Sequence, residues 1–445
     1  MIGKSPNQKQ GNLFAPLLKD FIDPTHELVI LTEKINWNDL EENFKDLYSN
    51  TGQPGKPVRL MAGLLILKQL YDYGDETVVE AWIQNPYFQY FCGEAIFQWK
   101  NPCDPSDLVH FRKRITEEGA KKILQLSVSL HQGKVDQCST ITVDTTVQEK
   151  NITYPTDTKL RRKIIEKCNK IAKKEKIKLR QSYVRVTKDL INTIRFCRSE
   201  KQRKMANRAA RKLRTIARRL TSDLSKKLYG AGLHDPYYDE IELFWRILYQ
   251  DRHDTNKLYS IHEPQVACIA KGKAHKPYEF GSKVGIATTQ GSNVVIGVKS
   301  FLGNPNDSKI LKDILGSVKE ITQKEFSAAS VDRGFRGRKK IDNTEIIIPD
   351  NKSKKTISQA MRRKMRKRCA IEPIIGHVKH DFRMVRNYLK GVAGDTFNAV
   401  MACAAFNFRS ALREIKASFL FIIFGGEKIA EQQKYFSFYF LKMSS

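Results

Sequence analysis

Hydrophobic and polar residues follow two different periods along this chain, and each predicts a different structure. Up to about residue 135, apolar residues recur every three or four positions, as at Leu108, Phe111 and Ile115, which indicates amphipathic helices. From residue 139, the stretch STITVDTTVQEK is rich in Thr, Val and Ile and alternates in the manner of a strand. The sequence therefore predicts an all-α N-terminal region, residues 1–135, followed by a region that contains a sheet.

A second helical pattern interrupts this strand-forming region. Apolar residues again recur at steps of three and four within 160–171, 186–197 and 205–224. Residues 159–227 also hold 26 Lys and Arg against five acids, so most of the chain's excess positive charge lies there. A disordered basic tail would not keep that period, and we therefore predict a basic helical insertion at about 157–250.

Short strand-like segments return at about residue 258, separated by Gly, Pro, Asn and Asp. QGSN at 290–293 has the composition of a hairpin turn, and 306–321 has helical periodicity. Strands that alternate with helices predict an α/β domain with a mixed sheet at 136–415, and residues 416–445 form a hydrophobic C-terminal tail.

Polar residues in front of the apolar periods mark where helices should begin. Ser106 or Asp107 is the N-cap candidate of one helix, and Asn306 or Asp307 is that of another. Asp157 is interpreted in the same way, as the cap of the first helix in the insertion.

The formal net charge of +30 points to a polyanionic partner, nucleic acid before an anionic membrane surface. No segment reaches the roughly 18 apolar residues of a membrane span, and the N-terminal residues lack the apolar run of a signal peptide. These features predict a cytoplasmic protein that binds DNA or RNA and has no membrane partner.

Three acids lie at strand or helix ends in the α/β region: Asp144, Asp332 and Glu372. Pro373 is expected to bias Glu372 away from helical backbone and to mark a helix beginning or a kink. If the three carboxylates converge, their oxygens suit Mg²⁺ or Mn²⁺, and two such ions can support phosphodiester chemistry. From the residues alone, separate roles as helix caps and salt-bridge partners remain open.

Three blocks carry a resemblance to the DDE transposases of bacterial insertion sequences, in particular the InsH-like group: residues 142–157, 330–337 and 371–409. These families share a signature of Tyr, two residues, Arg, three residues, Glu, six residues and Lys. Arg368, Glu372 and Lys379 match it in register, whereas Met365 stands at the tyrosine position. The resemblance spans about residues 55–412.

This resemblance implies a ribonuclease H-like catalytic domain in which Asp144, Asp332 and Glu372 bind two Mg²⁺ ions, or Mn²⁺. Arg368 and Lys379 would contact DNA, with Arg333 and Arg336 as further phosphate contacts. The implied partners are the terminal inverted repeats of the element and target DNA, and the implied assembly is a homodimer in a synaptic complex. The implied location is the bacterial nucleoid.

The implied activity is cleavage at the element ends followed by transfer of the 3′ ends to target DNA. A nuclease that stops after cleavage is one alternative. A catalytically silent, transposase-derived DNA-binding regulatory protein is the other, although an intact set of three acids argues against it.

Overall fold

The computed structural model describes residues 3, 16–48, 51–52, 54–251, 253–270, 276–337, 339–348 and 366–424, with side chains to residue 418. Met365 and residues 425–445 of the predicted tail lie outside these ranges. Within them, the chain is a mixed α/β protein built on one mixed sheet.

The helices are α1 (Leu18–Phe21), α2 (Glu27–Lys34), α3 (Trp37–Lys45), α4 (Val58–Leu70), α5 (Asp75–Gln84), α6 (Pro86–Phe91), α7 (Pro105–Ser129), α8 (Gln132–Asp136), α9 (Asp157–Lys174), α10 (Val184–Arg195), α11 (Glu200–Gly230), α12 (Tyr238–Tyr249), α13 (Asp307–Thr322), α14 (Ile371–His380) and α15 (Gly391–Phe424). The strands are β1 (Thr140–Lys150), β2 (Ala267–Ala270), β3 (Tyr278–Thr289), β4 (Val295–Phe301), β5 (Ala328–Val331), β6 (Lys340–Ile341), β7 (Thr344–Ile347) and β8 (Arg386–Asn387). Short 3₁₀ helices lie at Asp235–Tyr237 and Arg333–Phe335.

The sheet places β1 at its centre, in the order β2-β3-β1-β5-β7-β6, with β4 also paired to β3 and β8 to β1. β1 is antiparallel to β3 and parallel to β5, which is itself parallel to β7. The predicted turn at 290–293 joins β3 to β4, and positive φ angles at Gly291 and Asn293 suit the residue types there. The mixed sheet predicted from the sequence is therefore confirmed.

Helices cover both faces of this sheet. Successive side chains of β1 point to opposite faces. Ile141 points toward α13, whereas Gln148, on the other face, accepts a hydrogen bond from Asn398 of α15 and donates one to the Asp395 carbonyl. α14 packs beside α15 against β1 on this second face.

Two helix starts differ from the predicted ones. α7 begins at Pro105, and its N-cap is Asp104 rather than Ser106 or Asp107; Asp107 instead completes a capping box by accepting from the Asp104 N–H. α9 is capped by Thr156, not Asp157, which is the first helical residue. In both helices the capping side chain lies before the residue that the sequence favoured. An acid in the first turn also interacts favourably with the positive end of the helix dipole, so such an acid is easily taken for the cap. Asn306 is the N-cap of α13, as predicted.

The insertion consists of the four helices α9 to α12 and has a hydrophobic core of its own. Leu160, Ile164, Leu213 and Leu220 are among its buried residues, at the spacing that the sequence showed, and Phe244 of α12 joins them. The N-terminal helices, in contrast, share one core with the sheet and α15. The boundaries at 135/136 and 415/416 remain predictions. A search of the described helices finds no candidate membrane span.

Candidate active site

Asp144 and Asp332 lie side by side on neighbouring strands. Val143 of β1 pairs with Val331 of β5 in parallel register, so the two acids each follow one member of that pair. Both valines are fully buried. Because side chains alternate along a strand, both carboxylates point to the opposite face from the valines, the face covered by α14 and α15. Register and alternation thus place two acids 188 positions apart in sequence on one patch.

Both carboxylates are oriented by the backbone that follows them. The Thr145 N–H donates to Asp144 Oδ1 at 2.7 Å, and the Arg333 N–H donates to Asp332 Oδ1 at 2.6 Å. Asp144 is partly buried in the strand, whereas the Asp332 side chain is 51% exposed at the start of a 3₁₀ helix. One acid therefore lies in the floor of the site and the other at its rim.

Glu372 reaches the same patch from α14. The buried residues Ile371, Ile374 and Val378 anchor this helix, and Glu372 lies on its exposed side. The expectation that Pro373 would keep Glu372 out of helical backbone is wrong, since Glu372 is the second residue of the helix. Proline is tolerated in the first turn because the N–H that it lacks would have no acceptor within the helix. The prediction that a helix begins there is confirmed.

Arg368 lies between two of the three acids. It belongs to the helical stretch 366–369, and its guanidinium nitrogens are 3.4 Å from Glu372 Oε1 and 3.9 Å from Asp332 Oδ1. Its side chain is only 14% exposed. In this arrangement the arginine partly neutralises two carboxylates that would otherwise repel each other.

The electrostatics of Asp144 reflect its crowded position. The pKa of this carboxyl is raised to about 6, chiefly by burial and also by the charges of Asp332 and Glu372, against the lowering effects of the Thr145 N–H and of Arg368. A cation placed beside this carboxylate would reduce the free-energy cost of ionising it in the folded protein.

This pKa predicts that Asp144→Asn stabilises the metal-free protein. The folded-state pKa lies above the ordinary aspartate pKa of 3.8. The stability that protonation of Asp144 contributes is therefore complete below about pH 4 and is lost as the pH rises through about 6. We expect the unfolding free energy of Asp144→Asn to exceed that of the wild type by about 1–3 kcal/mol at about pH 7.5, with little difference at about pH 4.

Chemical denaturation at both pH values measures this difference. Asp313→Asn, on the exposed side of α13, is the control for loss of a surface charge. An Asp144→Asn effect that is the same at both pH values would contradict the assignment of an unfavourable buried charge.

The donors fit a hard divalent cation in kind, because all three predicted ligands offer carboxylate oxygens on one patch. They do not form a closed cage: in the described part of the chain, no group of three or more His, Cys, Asp or Glu side chains is close enough to hold a metal ion. Asp144 and Asp332 follow paired residues of neighbouring strands, and Glu372 is held by Arg368.

The other predicted DNA contacts surround this patch. Arg333 and Arg336 are exposed directly after Asp332. Lys379 lies seven residues after Glu372, two turns along the same side of α14, and is partly buried. The patch therefore has cations on two sides.

A further acid, Asp307, supports the site from the other face of the sheet, and sequence reasoning interpreted it only as a possible cap. Its Oδ1 accepts from Thr145 Oγ1 at 3.1 Å and from Lys283 Nζ at 2.8 Å. A Cβ on Gly334 would lie 2.8 Å from Asp307 Oδ2, so a larger residue in the turn after Asp332 would displace this carboxylate. One sequence feature could have indicated this role of Asp307. Lys283 is a lone cation in an apolar strand, and a buried cation requires a partner of opposite charge.

Comparison with known proteins gives two family matches. A family model described as a transposase domain (DUF772) matches residues 16–114, and one described as a transposase DDE domain matches residues 257–408. The chain belongs to the DDE transposases of insertion sequences. The second match covers Asp332 and Glu372, whereas Asp144 lies between the two matched ranges.

This transposase is also similar to an uncharacterized protein, ORF8 in the nfe locus, of Rhizobium meliloti. The two chains are 41% identical over 187 residues, which make up 41% of this transposase and 90% of that protein. No solved structure gives a significant match.

Proposed function

We propose that this transposase binds the terminal inverted repeats of its own element, cleaves DNA at the element ends and transfers the freed 3′ ends to target DNA. The observation that carries the proposal is the register of β1 and β5, which sets Asp144 and Asp332 together on the face that Glu372 approaches from α14. A catalytic domain of the ribonuclease H-like type is consistent with a central β1 that is antiparallel to β3 and parallel to β5.

Asp144, Asp332 and Glu372 are the proposed ligands of two Mg²⁺ ions, with Mn²⁺ as a substitute. When bound, such ions activate a water or a 3′-hydroxyl and stabilise the leaving oxygen of a phosphodiester. The backbone N–H groups of Thr145 and Arg333 keep two of the carboxylates aimed at the same patch. Arg368 partly neutralises Asp332 and Glu372, and with a cation bound by these acids its guanidinium would be available to contact a phosphate.

The surrounding cations are proposed to hold the DNA backbone. Arg333, Arg336 and Lys379 flank the acids, and the insertion supplies a larger basic surface. Phosphate contacts of this kind supply affinity with a steep salt dependence but do not select a sequence. Because the two element ends have to be handled together, we propose a homodimer in a synaptic complex, acting at the bacterial nucleoid in the cytoplasm.

The test is an assay of cleavage and strand transfer by the purified protein on DNA that carries the element's own ends. Activity is expected with Mg²⁺ or Mn²⁺ and should disappear when EDTA removes the metal, because the carboxylates then lack their cation. In parallel, Mg²⁺ should raise the unfolding temperature of the wild type more than that of Asp144→Asn. Cleavage that persists in EDTA would contradict the proposed chemistry.

One observation favours a second candidate function, the catalytically silent DNA-binding regulatory protein. In the described residues the acids do not form a metal-holding group, and Arg368 occupies the space between Asp332 and Glu372. Tight binding of the element ends, with no cleavage in either metal and no thermal shift with Mg²⁺, would select this alternative.

A further inference from the structure

The insertion carries a cavity whose lining combines cations with aromatic rings. Its volume is about 620 Å³, and it opens between the segment after α9, the middle of α11 and the end of α12. Arg180, Arg219 and Lys226 are exposed at its edge, and Trp245 and Tyr249 form part of its wall. This cavity is formed by the insertion and involves none of the residues assigned above to the active site.

The aromatic part of the cavity is a stack open to solvent on one side. The rings of Trp245 and Tyr249, one helical turn apart, are 5.5 Å apart and nearly parallel, at 26°. The Arg218 guanidinium carbon lies 4.5 Å from the centre of the Tyr249 ring. Trp245 packs against the insertion's core, whereas Tyr249 is 61% exposed. Trp245 and Arg218 therefore hold the Tyr249 ring in place, while most of the residue's surface stays accessible to solvent.

The charge around this stack favours an anion. Asp223, the acid in the cavity lining, already accepts from the Arg180 N–H at 3.0 Å and pairs with Lys227 at 3.3 Å. Arg218 is held at the Leu248 carbonyl by one terminal nitrogen, 3.3 Å away, while its buried Nε has no hydrogen-bond partner. The cavity thus keeps an excess of positive charge beside its aromatic wall.

We propose that this cavity is a docking site for single-stranded DNA, in which an unstacked base lies against Tyr249 and the neighbouring phosphates contact Arg180, Arg219 and Lys226. Aromatic stacking and a basic groove together are how proteins hold single strands with little sequence preference. A duplex would use the cations alone, because its base faces are covered by neighbouring base pairs. The proposal goes beyond end cleavage, and it assigns the insertion a role in holding strands that are no longer paired.

The test compares two single-stranded probes in metal-free buffer, so its result is independent of whether the acids cut DNA. One probe is a fluorescently labelled oligothymidine of about ten nucleotides, comparable to a single-strand binding site. The other has the same phosphates but abasic sugars. Tyr249→Ala should weaken binding of the oligothymidine about fivefold or more, the lower range for one stacked base, and leave binding of the abasic probe unchanged.

Two further variants separate stacking from charge and from general damage to the insertion. Tyr238→Ala removes another exposed tyrosine of α12 that does not line the cavity, and it should change neither affinity. The double variant Arg180→Gln, Lys226→Gln should weaken binding of both probes to the same extent and reduce the salt dependence of the affinity. Equal losses for the two probes in Tyr249→Ala, or no loss in either, would overturn the proposal, as would tighter binding of an acidic peptide than of the oligothymidine.

Discussion

Replacing Glu372 by glutamine is expected to lower cleavage at the element ends by about a thousandfold or more, which exceeds the roughly 10–100-fold loss typical of residues that only support a metal ligand. Glutamine keeps the length of the side chain and an oxygen that can accept from Arg368 Nη2, now 3.4 Å from Glu372 Oε1. It removes the negative charge that the proposed chemistry requires. The helix should persist, because its contacts are made by Ile371, Ile374 and Val378.

DNA binding should survive the same change. Phosphate contacts come from the cations around the patch, and loss of one carboxylate removes a repulsion instead of an attraction. Mobility-shift titrations with the element ends measure this binding alongside cleavage. The control is Asp381→Asn, which removes an acid at the other end of α14, where it contacts His377 at 2.8 Å. If Glu372→Gln cut as well as this control, Glu372 would not be a ligand.

Replacing Lys150 by methionine is expected to destabilise the protein by about 3–5 kcal/mol, because it leaves buried carboxylates without their cation. Lys150 Nζ lies 2.6 Å from Asp395 and 3.3 Å from Glu263, and all three side chains are at most 6% exposed. Burial raises the pKa of Asp395 above its ordinary value, while Lys150 and Asn387 oppose this rise. Without the lysine, one of the acids would have to be protonated or hydrated.

This cluster joins three distant parts of the fold. It connects the end of the strand that carries Asp144, the chain returning from the insertion and the first turns of α15. Chemical denaturation measures the loss, and Lys276→Met is the control. Lys276 pairs with Glu149 of the same strand at a more exposed site, so this substitution should lower the free energy of unfolding by only about 0–1 kcal/mol. Neutralising both partners as well, by Glu263→Gln and Asp395→Asn, should recover part of the stability. If Lys150→Met lowered the free energy of unfolding no more than the control does, the prediction would be contradicted.

Local sequence determined the elements themselves. The period of apolar residues predicted the helices of the insertion, and alternation with β-branched residues predicted β1 and the hairpin of β3 and β4. These features depend on residues within a few positions of one another, so the chain displays them directly. The helix starts at Asp104 and Thr156 were missed because several polar residues compete there, and only the backbone decides which one caps.

The sequence and its resemblance also selected Asp144, Asp332 and Glu372, but no spacing along the chain could establish that they meet. The tertiary structure brought Asp144 and Asp332 to one patch through the pairing of Val143 with Val331, which depends on the packing of the whole sheet. It also decided the cluster of Lys150, Glu263 and Asp395 and the cavity beside Tyr249, whose members come from separate elements. Such contacts depend on burial and on pairing between remote segments, which hydrophobic periodicity does not encode.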